Sequence, residues 1–424
     1  MAFTRAAVEE LSALRGEPEW LRARRLASFG IFEGMSLPDT RRQQEWRQVD
    51  LKGLDLDAYA PFQQPNGSAP PGTLENVSGM LRQRGTSTPT ASLSPDLARQ
   101  GVLFMPLTQA AREHRDLVER HLFSAVKPDR DKFAALHAAL FTGGTFLYVP
   151  EGVSIAEPLI SQFWSADSAS AVLPHSLVIA GAGSQFQYVD EFLSADREAA
   201  LLASGSAEVF LGEGANMSYV ALQQWSRKAW QFANQRFRLG KDAQLRLVDV
   251  ALGGRFARLR VEAMLEGAGS SADLRGLFFG SGDQAFDFRT LQDHIAPKTT
   301  SDLLFKGALT DMAKSVYVGV VRVESAARAS SSNQANRNLL LSEKAKASSE
   351  PILEILNNDI LRCSHGATVG PVDPEHLFYL ESRGIPHPIA ERMLVQGFLG
   401  EILDRLPVAQ VRDEVEQDLA ARIE

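Results

Sequence analysis

Cysteine is nearly missing from this chain, with one residue, Cys363, in 424. No internal disulfide can form, which fits a reducing compartment. No apolar run approaches the ~20 residues that a membrane-spanning helix needs. The opening stretch MAFTRAAVEELSALRG is amphipathic and mixed in charge rather than a basic head followed by an apolar core, so a cytoplasmic protein with no membrane role is expected. An excess of basic residues is also missing. The formal charge is -8, which leaves nucleic-acid binding without electrostatic support. The phosphate-cradling pattern G-x-x-x-x-G-K-[ST] does not occur, so ATP hydrolysis by this chain is not expected.

What is present is ordinary globular composition, 44% hydrophobic and 23% charged, in a chain long enough for two or three domains. Residues 4 to 34 carry apolar positions at helical spacing (Val8, Leu11, Leu14, then Leu21, Leu26, Phe29) on either side of Gly16-Glu17-Pro18, which predicts two helices. Trp46 reads as a core anchor. The Pro-, Gly- and Ser-rich residues 61-73 read as a linker, and residues 75 to 125 show little pattern. A helix is expected from Pro106 to Lys127, with Ala110, Leu117, Val118 and Leu122 inward. Another is expected over Phe133 to Phe141, stopped by Gly143-Gly144. His114, His121 and His137 on these helices read as surface or packing residues.

After Gly144 the texture becomes β. The segments VIAGAGSQFQYVD from Val178, VFLGEGANMSYVA from Val209 and FRLGKDAQLRLVD from Phe237 repeat one design, and AMLEGAGSSADL from Ala263 is a weaker copy. Each is an apolar strand, a glycine-bearing turn and an alternating strand. Their glycines, Gly181, Gly212, Gly240 and Gly267, stand 31, 28 and 27 residues apart. A period near thirty predicts stacked coils, because one coil alone leaves its inward side chains in water and stacking buries them as one column. The fold class is therefore mainly β, a β-solenoid with helical regions at both ends: residues 1-143, then 144-372 as the core, then 373-424. Trp164, Trp225 and Trp230 are expected to pack in or against the column, and His175 and His294 to be satisfied surface groups. The polar stretch Arg322 to Lys346 reads as edge turns without chemistry.

The most informative stretch is Glu350 to Gly384. Pro351 to Leu356 is apolar, Asn357-Asn358-Asp359 is turn-forming, and Ile360 to Ala367 can be extended, giving strand, turn, strand. In an extended strand Cys363 and His365 share a face, with Cα atoms roughly 6.5 to 7 Å apart. A thiolate beside an imidazole suits a soft or borderline metal. The set is incomplete, since structural zinc and cubane clusters each want about four ligands. Either the pair is packing, or the remaining ligands come from outside the chain. Beyond it, Asp373-Pro374 starts a helix to Ser382. A second is expected from Pro388 to Arg405 with Ile389, Met393, Phe398 and Ile402 inward, and a third after Pro407 with Val411, Val415, Leu419 and Ile423. From Asp373 onward there are eleven acidic and five basic residues, so one side of these helices is acidic.

The run Cys363-Ser364-His365-Gly366-Ala367-Thr368-Val369-Gly370, followed by Leu377-Phe378-Tyr379-Leu380 and Ser382-Arg383-Gly384-Ile385, resembles the C-terminal signature of the SufB/SufD family of iron-sulfur cluster assembly scaffolds. Leu37-Pro38 and the Arg41 to Leu51 segment with its Glu45-Trp46 pair resemble the family's N-terminal pattern. Gly366 stands where the SufB-type version usually carries an acidic residue, so the resemblance is closer to SufD. It implies a right-handed parallel β-helix that pairs with a SufB-like chain through the β-helix. It also implies a SufC-type ABC ATPase held at the C-terminal helices, with homodimers possible in isolation. His365 and Cys363 become the expected ligands of a nascent iron-sulfur cluster or iron, bound transiently at a subunit boundary, and the chain itself is expected not to be an enzyme.

Three rivals carry their own signs. A Cys363 nucleophile with His365 as base needs a depressed thiol pKa and turnover without a partner. A polysaccharide-binding β-helix needs clustered Asp on one coil face and a secretory signal, and neither is seen. A purely structural adaptor for two ATPases needs the Cys363 region to be packing.

Overall fold

A computed structural model describes residues 2-62 and 74-423. The expected linker at 61-73 lies almost wholly outside the described residues. The body of the molecule is a parallel β-solenoid of about eight turns, with strands in two sheets that face each other across one column. One sheet runs from Lys346–Ile355 through Lys314–Val323, Ala285–His294 and Phe256–Leu265 down to Leu103–Pro106; the other runs from Ile360–Gly370 through Ser330–Leu340 and Thr300–Leu309 down to Thr90–Leu93. Successive coils pair in register, so that Tyr188, Tyr219, Leu247, Leu274 and Leu303 stack one above another inside the column. All five are essentially buried.

The repeated glycines are needed for close approach rather than for an unusual backbone. The Gly212, Gly240 and Gly267 N–H groups donate to Ala180, Leu211 and Leu239 carbonyls of the coil beneath, at 2.8, 2.8 and 2.9 Å. A Cβ on Gly267 would collide with the backbone nitrogen of Lys241. The left-handed turn residue comes two positions later, at Gly183, Gly214, Asp242 and Gly269, where asparaginyl-like or glycyl residues are tolerated.

The two ends of the solenoid differ. At the start, the poorly patterned region supplies three short strands: Gly79–Arg84 pairs in parallel with Leu159–Ser165, Thr90–Leu93 then pairs antiparallel with it, and Leu103–Pro106 pairs antiparallel with Gly143–Val149. That end therefore finishes in short antiparallel strands flanked by helices. At the finish, Lys346–Ile355 and Ile360–Gly370 are each the last strand of their sheet, and their outer edges have no strand partner among the described residues.

Helices cover the flanks. Arg5–Leu14 and Glu19–Gly34 pack through Val8, Leu11, Phe29 and Phe32 into a cluster with Phe133, Phe232 and Trp46. Trp46 is the expected anchor: it is buried, 5.5 Å from the Phe133 ring, and stacked under the Arg258 guanidinium at 3.8 Å. On the other sheet, His387–Leu403 and Ala409–Arg422 bury Val395, Leu399, Ile402, Val411, Val415 and Leu419 against Val220, Leu222, Val248, Val250 and Phe279. Each such side chain contributes about 1.5–3 kcal/mol by leaving water.

Several expectations are corrected. The helix predicted from Pro106 to Lys127 is two, Leu107–Glu113 and Arg115–His121, because His114 leaves helical geometry at φ -129°, ψ 47°. Gly143-Gly144 open the strand Gly143–Val149 instead of capping the preceding helix, which ends at Leu140. There, a Cβ on Gly144 would strike the His175 carbonyl. Ile389 and Met393 face solvent, and Ala390, Val395 and Leu399 take the inner side instead. Arg322 to Lys346 is more than turns: it contains the full strand Ser330–Leu340, whose inward residues are polar. The three tryptophans Trp164, Trp225 and Trp230 are buried as expected, but His175 and His294 are fully buried rather than on the surface. His175 bridges His137 Nε2 at 3.1 Å and Glu208 at 3.2 Å, and the Glu208 carboxylate accepts from the Phe123, Ala125 and Val126 amides. That network ties the N-terminal region to the column.

Candidate functional site

The site is built by the last coil. Lys346–Ile355 leads into the turn at Asn357, whose amide donates to the Glu324 carbonyl at 2.7 Å and whose side-chain oxygen accepts from the Asp359 N–H at 3.0 Å. The chain then returns as Ile360–Gly370, in register with Ser330–Leu340 after an irregularity near Leu361. Beyond it the alternation predicted from sequence holds, and Cys363 and His365 share the face that continues the interior of the column. Cys363 lies directly over Ser332 and His365 over Gln334.

The two ligand candidates are brought together, and they sit at the open end. Cys363 is half-buried beside the small apolar cluster of Val321, Val323 and Ala327, and His365 is exposed. Burial pushes the Cys363 thiol pKa up, so in this chain alone the sulfur is held as thiol, the weaker nucleophile. Around the pair the last coil exposes Ile355, Leu356, Leu361 and Val369. The next helix, Pro374–Ser382, buries none of its residues and exposes Phe378 and Tyr379. An added Cβ at Gly366 would meet nothing within 4 Å, so the fold does not itself demand glycine there. Among the described residues no group of three or more His, Cys, Asp or Glu is placed to hold a metal ion.

Below the pair the column lining changes from hydrocarbon to polar. The ladder under Cys363 reads Phe186, Met217, Leu245, Ala272, then Ser301 and Ser332. The Ser332 hydroxyl is 2.8 Å from that of Ser301, which is 2.7 Å from His294 Nε2, and Gln292 donates to both serines at 2.7 and 3.3 Å. Burial lowers the His294 pKa to about 4, so it is neutral. This polar floor was not assigned any role from sequence, although the alternation Ser330, Ser332, Gln334, Asn336, Asn338 signals an inward polar face.

Residues 163–398 match the family described as SUF system FeS cluster assembly, SufBD core domain, and residues 87–160 match SufBD protein N-terminal region. The chain belongs to the SufBD family. It is 30% identical to the iron-sulfur cluster assembly protein SufD of Bacillus subtilis over 96% of this chain and 95% of that one. It is 26% identical to SufB of the same organism, over 96% and 90%, and 27% identical to a SufBD family protein of Staphylococcus saprophyticus over the same shares. Between the two Bacillus proteins this SufBD chain is thus more similar to SufD, in line with Gly366. As a SufBD family member it is a component of iron-sulfur cluster assembly. Among its described residues no helix is long and apolar enough to cross a membrane.

Proposed function

We propose that this chain is the SufD-type subunit of a cytoplasmic iron-sulfur cluster assembly scaffold, pairing with a SufB-like chain at the open end of the solenoid. There it supplies His365, with Cys363 beside it, as ligands to a nascent cluster or iron, which is cargo rather than a resident cofactor. A SufC-type ABC ATPase docks on the C-terminal helices, and ATP use belongs to that partner. The observation that carries this reading is the placement of the C-x-H pair on the inner face of an uncapped last coil, ringed by exposed apolar side chains. A fixed four-thiolate site would hold its cluster; two ligands from one chain and the rest from another give a site that can let go. Because burial favours the Cys363 thiol, the metal itself must displace its proton, and loading releases protons. A nucleophilic enzyme is less well supported, since it needs the opposite shift. The test is iron and sulfide retention after anaerobic reconstitution of the chain with a SufB-type partner. His365→Ala should retain at most a tenth of the wild-type iron with the complex still assembled; equal retention removes the ligand role.

A further inference from the structure

Gln334 stands next to the candidate ligands. It is fully buried, on the inward face of Ser330–Leu340, at the register position directly beneath His365. Its amide nitrogen donates across the column to the Gly319 carbonyl at 3.1 Å. Gly319 has room for this only because it lacks a side chain: a Cβ there would lie 2.5 Å from that nitrogen. With the nitrogen committed to a carbonyl, the amide cannot turn over without placing oxygen against oxygen. Its side-chain oxygen is therefore fixed as an acceptor, and it is buried with no hydrogen-bond partner among the described residues. A buried acceptor without a hydrogen bond is costly, so a donor that can reach it is favoured there.

Neighbouring parallel strands lie ~4.8 Å apart, and the side chain at the next register position above Gln334 on that face is His365, which carries a ring N–H. A histidine that binds metal through one ring nitrogen generally donates the N–H of the other to an acceptor, which fixes tautomer and ring orientation. We propose that Gln334 is a positioning residue for His365. Its side-chain oxygen accepts one ring N–H when the imidazole swings in over the column, and it presents the other nitrogen, unprotonated, to iron at the subunit boundary. This rests on the reading of His365 as a ligand. It adds a requirement that the exposed imidazole be locked by the coil beneath it.

The experiment uses the full chain assembled with a SufB-type partner and loaded anaerobically with Fe(II). Gln334→Leu, which keeps the volume and removes the acceptor, should weaken iron binding 10- to 100-fold. The same change in a His365→Ala background should add nothing. In the metal-free complex with the SufB-type partner, 15N shifts of the His365 ring should show one dominant tautomer in wild type and a mixture in Gln334→Leu; that readout does not depend on iron and is not moved by a merely structural role. Wild-type iron affinity in Gln334→Leu alongside loss in His365→Ala overturns the positioning role and leaves the ligand reading standing, as does an unchanged tautomer balance. Full retention by His365→Ala overturns both.

Discussion

Leu361→Asp separates folding from pairing. Leu361 lies on the last strand with 75% of its surface exposed, so in the isolated chain the change replaces one solvated side chain by another and should alter stability by no more than about 0.5 kcal/mol. At a subunit boundary the consequences are larger. Burying three quarters of a leucine is worth about 1–2 kcal/mol, and an unpaired carboxylate trapped in the same place costs at least about 2 more. A loss of about 3 kcal/mol or more weakens the pair by over 100-fold. Sedimentation or calorimetric titration with a SufB-type partner measures this. Met312→Asp is the control, because Met312 is 53% exposed on a turn of an earlier coil and should pair normally. The reasoning fails if Leu361→Asp pairs within threefold of wild type, or if the control is weakened equally.

Two further outcomes follow from buried and exposed groups elsewhere. Burial pushes the Asp249 carboxyl up to about 7, far above its unfolded value. Its stabilising share is therefore full below about pH 4 and is lost as pH rises through 7, by up to about 4 kcal/mol. Asp249→Asn keeps an acceptor for the Gln235 amide, now at 2.8 Å. Wild type should thus lose more thermal stability than the variant between pH 4 and pH 8, against a shared background from Asp190 and Glu191, whose carboxyls burial pushes up to about 6 and about 7; parallel profiles would show the carboxyl is not strained. On the C-terminal helices, Ile389→Glu with Met393→Glu changes two side chains that are 41% and 46% exposed. Folding should be unaffected and co-purification of an ABC ATPase subunit reduced at least tenfold; undiminished co-purification excludes that face of the helix as the dock.

The solenoid was legible because its coils repeat a glycine where the backbone of the next coil comes closest, and close packing leaves no alternative residue at Gly267. The strands at Thr90 and Leu103 were not legible. They are four residues long, pair antiparallel at an end, and belong to no repeat. The helix at His387–Leu403 is apolar on more than one side, so spacing alone could not decide between the Ile389 and Met393 stripe and the Val395 and Leu399 stripe. The partnership of Cys363 and His365 follows from the period of two along a strand. That they stand on the final coil, over a polar floor, depends on which strand is stacked on which, and local sequence does not contain that information. His175 and His294 were misplaced for the same reason: their partners, Glu208 and Ser301, come from other strands.

The difference between the two ends of the solenoid governs how large an assembly can become. A column with bare edges at both ends could add copies indefinitely and grow into a fibre. Here one terminus ends in the four-residue antiparallel strands Thr90–Leu93 and Leu103–Pro106, poor templates for another parallel coil, whereas the other offers parallel edges of 10 and 11 residues, so stacking is favoured at one end. The long edge that most proteins hide stands open at that end, and under the proposed pairing it is a second chain that terminates the stack.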